Sequence, residues 1–479
     1  MKKNKTITNI VFNIFKTGIN ILFPILIFPY VSRVIGPENL GKVDFVNSIV
    51  SYFTLFASMG IPTYGIIACS SVRKDKRKLE QTVSELLMLN FIFLAITEIC
   101  LLLVTISVSK LNMYTDLIVL NAIGMLFNIM GIEWFFSSIE EFKYITIRSF
   151  IVKVISFILI FLLIKTDSDY IIYAAIIVLS NVGANIFNII YSRKFITYHR
   201  VKFHSLKKHL NPIFVYFGAS IASTINSNTD IVMLGFFKDD NAVGLYSFAV
   251  KIKLLLSSIV TAGLSTLIPK FSYLYSVGKI NDFRKLLRNT LLFTMVIAIG
   301  ISGYCIISAN EIIQILGGEK YVGVRKTMIV LDLCVIVLGA TWTYGVGVLQ
   351  ACRKEKAYAK TIGVSCIINV ILNILLIPAL SHLGAAIATF VTELVNLMLF
   401  IYYSREIVGN AMKSIKIYRV LLSGVVASGL AKGIMSFIHI NLFFDLFIKA
   451  AIYFIIYIGI NSIVNNELRS KILNLNFQK

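Results

Sequence analysis

Apolar stretches long enough to cross a bilayer recur from Ile7 almost to the C-terminus, separated only by short polar breaks. A hydrocarbon core about 30 Å thick takes roughly 20 residues of helix. The sequence accommodates fourteen such spans, near residues 8–33, 40–66, 81–107, 113–137, 145–165, 170–192, 210–236, 241–268, 287–309, 327–351, 357–378, 382–404, 417–438 and 442–464. At 57% hydrophobic residues the chain exceeds the 45 to 50% usual for a soluble domain, so lipid rather than water is its expected solvent. The expected class is an all-α, polytopic membrane protein.

The 46 lysines and arginines against 24 acidic residues give a net charge of +22, which in such a chain is first a question of sidedness. With the N-terminus inside, and residues at span ends assigned to the nearer side, 32 basic residues fall on the cytoplasmic side, 8 outside and 6 within spans. The positive-inside rule then places both termini in the cytoplasm. The clusters responsible, Arg73 to Lys78, Arg193 to Lys208, Lys279 to Arg288 and Arg353 to Lys356, read as anchors beside acidic headgroups. They lack the interleaved aromatics of a single-strand binder, so no nucleic acid is expected as a partner.

The opening Met1-Lys-Lys-Asn-Lys imitates a secretory signal, but Lys16 interrupts its apolar core and no small-residue cleavage site follows, so it is expected to remain as span 1. Six cysteines without CxxC spacing and five scattered histidines point to no disulfide framework and no metal site. External breaks are short, and even residues 310–326 have room for little more than a turn or a short helix. On the inner side, Phe271, Leu274, Tyr275, Phe283 and Leu286 recur at helical spacing among basic residues, which suits one helix lying in the interface.

An internal repeat is legible. Gly36-Pro-Glu-Asn-Leu-Gly41 after span 1 is echoed by Asp239-Asp-Asn-Ala-Val-Gly244 after span 7, and Glu141-Phe-Lys-Tyr144 entering span 5 by Glu355-Lys-Ala-Tyr358 entering span 11. Spans 1 to 6 and 7 to 12 therefore read as parallel six-helix lobes, residues 1–209 and 210–409, with two appended helices and a tail in 410–479. Such paired bundles enclose a cavity that opens to alternate sides by rocking.

Polar residues within the spans are the site candidates, because ionisable groups at bilayer depth are costly unless they face a cavity or a partner. Asn9, Asn13, Lys16, Thr17 and Asn20 share one face of span 1, and Tyr216, Ser220, Ser223, Thr224, Ser227 and Asp230 one face of span 7. Asp44, Asn47, Ser48 and Ser51 add to span 2, and Ser247, Lys251 and Ser258 to span 8. Cavity lining and interhelical hydrogen bonding both account for these faces. Lys153, two turns into span 5, is either a site residue or a snorkelling anchor. Among the acids, Glu98, Asp230, Asp332 and Glu393 can each hold a coupling ion or pair with a lysine. The asparagines Asn181, Asn185 and Asn188 of span 6, and Asn369 and Asn373 of span 11, read as packing glue. Pro24 and Pro29 predict a bend in span 1. No nucleophile elbow, phosphate loop or zinc helix is present, so an enzyme is not expected.

Four stretches carry a resemblance: Pro29-Tyr-Val-Ser-Arg33 with Gly36 to Gly41; Glu133-Trp134-Phe-Phe with Glu140 to Tyr144 and Arg148-Ser; Asp230-Ile-Val-Met-Leu-Gly235; and Val243-Gly-Leu-Tyr246 with Lys251 and Pro269. Together they resemble the Wzx-type oligosaccharide flippases of the polysaccharide biosynthesis group, within the superfamily of MATE exporters and lipid II flippases. The resemblance implies a bacterial cytoplasmic-membrane protein that moves an undecaprenyl-diphosphate-linked oligosaccharide from the inner to the outer leaflet for O-antigen, capsule or exopolysaccharide assembly, with membrane lipids and the polymerase machinery as neighbours. On this expectation Lys16, Lys251 and Lys153, with Asn13 and Asn20, bind the substrate, and Asp230, Glu393 and Asp44 couple transport to a proton or Na+, without any cofactor. A drug exporter or lipid II flippase of the same fold, a glycan polymerase or ligase, and an assembly scaffold are the rival readings.

Overall fold

The computed structural model describes residues 2–409, 416–437 and 441–464. Among them no strand occurs, and helices account for nearly every residue. The first half runs α1 (Lys2–Ser58), α2 (Ile61–Val72), α3 (Lys76–Ser107), α4 (Ser109–Asn112), α5 (Thr115–Met130), α6 (Glu133–Ser138), α7 (Phe142–Leu163), α8 (Tyr170–Val182), α9 (Ile186–Ser192) and α10 (Lys207–Phe237). The second runs α11 (Asp240–Thr261), α12 (Ile268–Ser276), α13 (Ile280–Ile307), α14 (Ala309–Leu316), α15 (Arg325–Tyr344), α16 (Glu355–Val408), α17 (Ile417–Met435) and α18 (Leu442–Val464).

Eleven helical stretches among the described residues are long and apolar enough to cross a membrane, where the sequence suggests fourteen. Part of the difference is a matter of joints. The 54 residues of α16 would extend about 80 Å as one rod, but non-helical dihedrals at Ser381 divide it, and Gly36 divides α1 in the same way. The 31-residue α10, rich in serine, threonine and asparagine, is not among the eleven.

By packing, the chain forms two compact units, Met1–Gly244 and Leu245–Lys479. The expected lobe boundary at 209/210 follows sequence repetition, whereas packing groups α10 with α1 and α2 in the first unit. Burial is the reverse of a soluble protein's on several helices. On α7, Ile151, Ile155, Ile158 and Leu162 face outward while Arg148, Lys153 and Ser156 are buried. The outward set recurs at spacings of three and four and the buried set at five and three, so one helix offers an apolar face to lipid and a polar face to its neighbours.

The repeated turns explain part of the first unit. A β-carbon on Gly41 would overlap the carbonyl of Asp240, and one on Gly244 would overlap the carbonyl of Pro37. Each echoed turn thus places its final glycine against the second residue of the other turn, a reciprocal backbone contact that only glycine admits. At a different place in the same unit, Glu85 is buried on α3 and accepts from Lys208 Nζ at 2.7 Å and His209 Nε2 at 2.9 Å, and His209 Nδ1 meets the Tyr64 hydroxyl at 2.8 Å. This knot ties α2, α3 and α10 together. Just before α3, Asp75 accepts from the Lys78 backbone N–H at 3.2 Å, which holds its carboxyl below the usual carboxylate range.

One expectation is corrected. The amphipathic stretch 271–286 is two helices, α12 and α13, broken at Gly278 (φ 72°), and Phe271 and Phe283 are fully buried with ring centroids 5.6 Å apart. Its apolar face therefore packs into the protein core rather than into the lipid interface. Separately from the bend expected at Pro24 and Pro29, the residue of α1 that leaves the helical region is Gly36 (φ 81°, ψ 173°). A proline removes one helical hydrogen bond but keeps a helical φ, whereas Gly36 leaves the helical region altogether.

Candidate functional site

The first unit contains a cavity of 570 Å³. Asn47, Ser51, Thr54 and Ser58 line it from α1, and Ser220, Ser223, Thr224, Ser227 and Asn228 from α10, with Asn121 of α5 and Asn181 of α8 completing the wall. Spacings of three and four put each set on one face of its helix. The Tyr52 hydroxyl meets Thr229 Oγ1 at 3.1 Å and fastens the two helices beside the cavity. Thr54, Ser58, Ser227 and Asn228 each donate to the carbonyl four residues back, so their remaining hydrogen-bonding capacity is available to the cavity. An adjoining space of 240 Å³ shares Ser58, Pro62 and Asn181 with the first and is lined further by Asn90, Asn128, Asn185 and Glu133.

Glu133 carries the charge at this end. Its Oε2 accepts from Lys16 Nζ of α1 at 2.8 Å, and its Oε1 from Arg148 Nη2 of α7 at 2.7 Å. One carboxylate therefore serves two cations, and the cluster keeps a surplus positive charge. Arg148 is 9% exposed, and its Nε and Nη1 have no hydrogen-bond partner among the described residues. Its guanidinium lies 5.8 Å from the ring centroid of Tyr144, which is itself stacked on Tyr191 at 3.8 Å. The backbone that presents Glu133 is unusual, because Ile132 before it has φ 37°, a left-handed conformation that a β-branched residue rarely adopts. The Asn188 side-chain amide donates to the Gly131 carbonyl and braces this turn.

Lys153 is buried one and a half turns along α7 from Arg148, within electrostatic reach of Lys16 and 4.8 Å from the ring centroid of Phe23. Of the other expected substrate residues, Asn20 is exposed, the side chain of Asn13 lies outside the described residues, and Lys251 is half-buried in the second unit. Asp44 and Asp230 are half-buried in the first unit and Glu393 in the second. Near Glu393 on α16, Thr389 Oγ1 meets the Tyr246 hydroxyl of α11 at 3.1 Å. Asp332 of α15 is fully buried, and neither carboxyl oxygen has a hydrogen-bond partner among the described residues. The residues that sequence reasoning passed over are Glu133 and Arg148. Both stand in a stretch that carries the resemblance, near the inner ends of spans 4 and 5, and spacing alone does not join them to Lys16.

The profile of the family described as polysaccharide biosynthesis protein matches residues 6–275. "Putative O-antigen transporter" of Escherichia coli K12 is 22% identical over 403 residues, 83% of this chain and 96% of that protein. "Probable low-salt glycan biosynthesis flippase Agl15" of Haloferax volcanii is 24% identical over 245 residues, 50% of this chain and 52% of that one. In fold, the chain is similar to the lipid II flippase MurJ in its inward closed conformation, with a TM-score of 0.77 at 16% identity, over 96% of this chain and 99% of that structure. The architecture is that of multi-pass membrane transporters rather than of enzymes.

Proposed function

Since the chain belongs to the polysaccharide biosynthesis protein family, we propose that it flips an undecaprenyl-diphosphate-linked oligosaccharide from the inner to the outer leaflet of a bacterial cytoplasmic membrane, with both termini in the cytoplasm. The observation that carries this reading is the pairing of a wall of hydroxyls and amides with an adjoining space where Glu133, its charged lining residue, is held by two cations behind it. A glycan exchanges hydrogen bonds with water for hydrogen bonds with serine, threonine and asparagine at little net cost. A diphosphate needs compensating cations, and Lys16, Arg148 and Lys153 supply them from two neighbouring helices. The polyprenyl tail stays in lipid. A cavity built for an organic cation would favour acidic residues instead.

Transport proceeds by alternating access, and Asp230, Glu393, Asp44 and Asp332 are the groups at which proton or Na+ binding biases the return. Lys251 serves as a further counter-charge, and the polymerase machinery takes up the translocated product.

The test is deletion of the protein from its host. Lipid-linked repeat units should accumulate on the inner leaflet while surface polysaccharide disappears, with both restored by the intact chain. Unchanged surface polysaccharide, with retention of a small toxic cation, would replace this reading with that of an exporter.

A further inference from the structure

We propose that Glu133 is a built-in counter-anion that holds Lys16 and Arg148 in the unloaded protein and gives way to a phosphate oxyanion when substrate enters. This rests on the diphosphate substrate proposed above. A carboxylate whose two oxygens each take one cation at 2.7 to 2.8 Å occupies those cations as one edge of a phosphate would. The substitution is incomplete. Two guanidinium nitrogens of Arg148 stay buried and unpartnered among the described residues, and a diphosphate, with more acceptor oxygens than a carboxylate, can satisfy them.

The exposures are unequal in the sense that exchange requires. The Arg148 side chain is 8% exposed and the Glu133 side chain 41%. The cation is fixed beside Tyr144, whereas the carboxylate borders a space of 240 Å³ that Asn128 and Asn181 also line. Exchange also limits the cost of emptying the site. Two lysine and arginine charges at bilayer depth without any partner would be expensive after product leaves, and the returning carboxylate covers that interval. The counter-anion therefore lowers affinity and speeds release, which is what a carrier that must let go of its cargo needs.

The experiment uses the full-length chain in phosphatidylcholine nanodiscs with farnesyl diphosphate as the probe and farnesol as the tail-only control. Glu133→Gln should bind farnesyl diphosphate about tenfold more tightly than wild type, through slower dissociation, with farnesol unaffected. Lys16→Gln should weaken binding by a similar factor, and Lys16→Gln with Glu133→Gln should return it to near the wild-type value, since Arg148 is then unopposed. That rescue is a readout that a purely structural Glu133 would not give, and it keeps the test open should Glu133→Gln alone fold poorly. Wild-type binding with equal or weaker binding by Glu133→Gln, and no rescue in the double variant, overturns the counter-anion alone. Absence of diphosphate binding by wild type overturns it together with the substrate reading beneath it.

Discussion

Two charge clusters, one in each unit, use the same groups in opposite ratios. In the first unit one carboxylate, Glu133, sits between Lys16 and Arg148. In the second, one ammonium, Lys449 of α18, sits between Glu311 at 2.6 Å and Asp445 at 2.9 Å. Both border open space, the second a cavity of 750 Å³. The first leaves buried guanidinium donors unpartnered and the second leaves a buried carboxylate oxygen, Glu311 Oε2, unpartnered, among the described residues. Among the paired groups themselves the surplus is positive in one and negative in the other, although Arg325 and Lys432 also line the second cavity, so the first cluster is the one whose own leftover donors are suited to an anion. Ionisable residues in a membrane protein thus divide by the sign and accessibility of what is left over, not by their presence in a span.

The largest expected effect lies in the second cluster. Lys449→Met leaves two carboxylates facing each other across a 7%-exposed position and should cost about 3–5 kcal/mol, seen as loss of folded protein from the membrane and of thermal stability in detergent. Adding Glu311→Gln and Asp445→Asn should recover most of that, because neutral groups need no counter-charge. Wild-type abundance for Lys449→Met would break the comparison, since the cluster would then be no structural clamp.

The first cluster should behave differently. Lys16→Ala and Arg148→Gln each remove a cation yet leave a one-to-one pair with Glu133, so membrane abundance should hold while polymer export falls at least tenfold, the equivalent of one charge-assisted hydrogen bond of about 1.5–3 kcal/mol. Export and abundance falling in parallel would make this cluster another clamp. Normal export by Lys16→Ala would remove it from the site.

How much of this was legible beforehand varies with the kind of signal. Helical class, membrane setting and the polar faces of spans 2 and 7 follow from periodicity, and Ser220, Ser223, Thr224 and Ser227 do stand together in a cavity wall. The echoed turns were visible as a repeat, but their reciprocal glycine contact was not, because sequence gives the similarity of two turns and not their adjacency. Long-range pairing is what remained hidden. Glu133 is 117 residues from Lys16 and 15 from Arg148, so neither bond leaves a trace at helical spacing. Stretch 271–286 misled for a related reason. An apolar helical stripe marks a face that avoids water without saying whether lipid or protein covers it, and here Phe271 and Phe283 meet protein.

The smallest expected effect concerns the wall itself. Ser227 is exposed to the cavity, and its hydroxyl already donates to the Ser223 carbonyl at 2.9 Å, so Ser227→Ala removes an acceptor and little else. A single such change should alter export by less than about twofold, within the 0.5 kcal/mol typical of surface substitutions. A wall that only keeps water and sugar hydroxyls satisfied should respond to Ser223→Ala, Ser227→Ala and Thr224→Val together as a gradual, roughly additive decline, because no one contact fixes the glycan. A wall that reads a specific sugar should instead show one substitution that costs as much as all three. Measuring the length of exported polymer in the single and triple variants separates the two, and places sugar selectivity either in these hydroxyls or elsewhere in the chain.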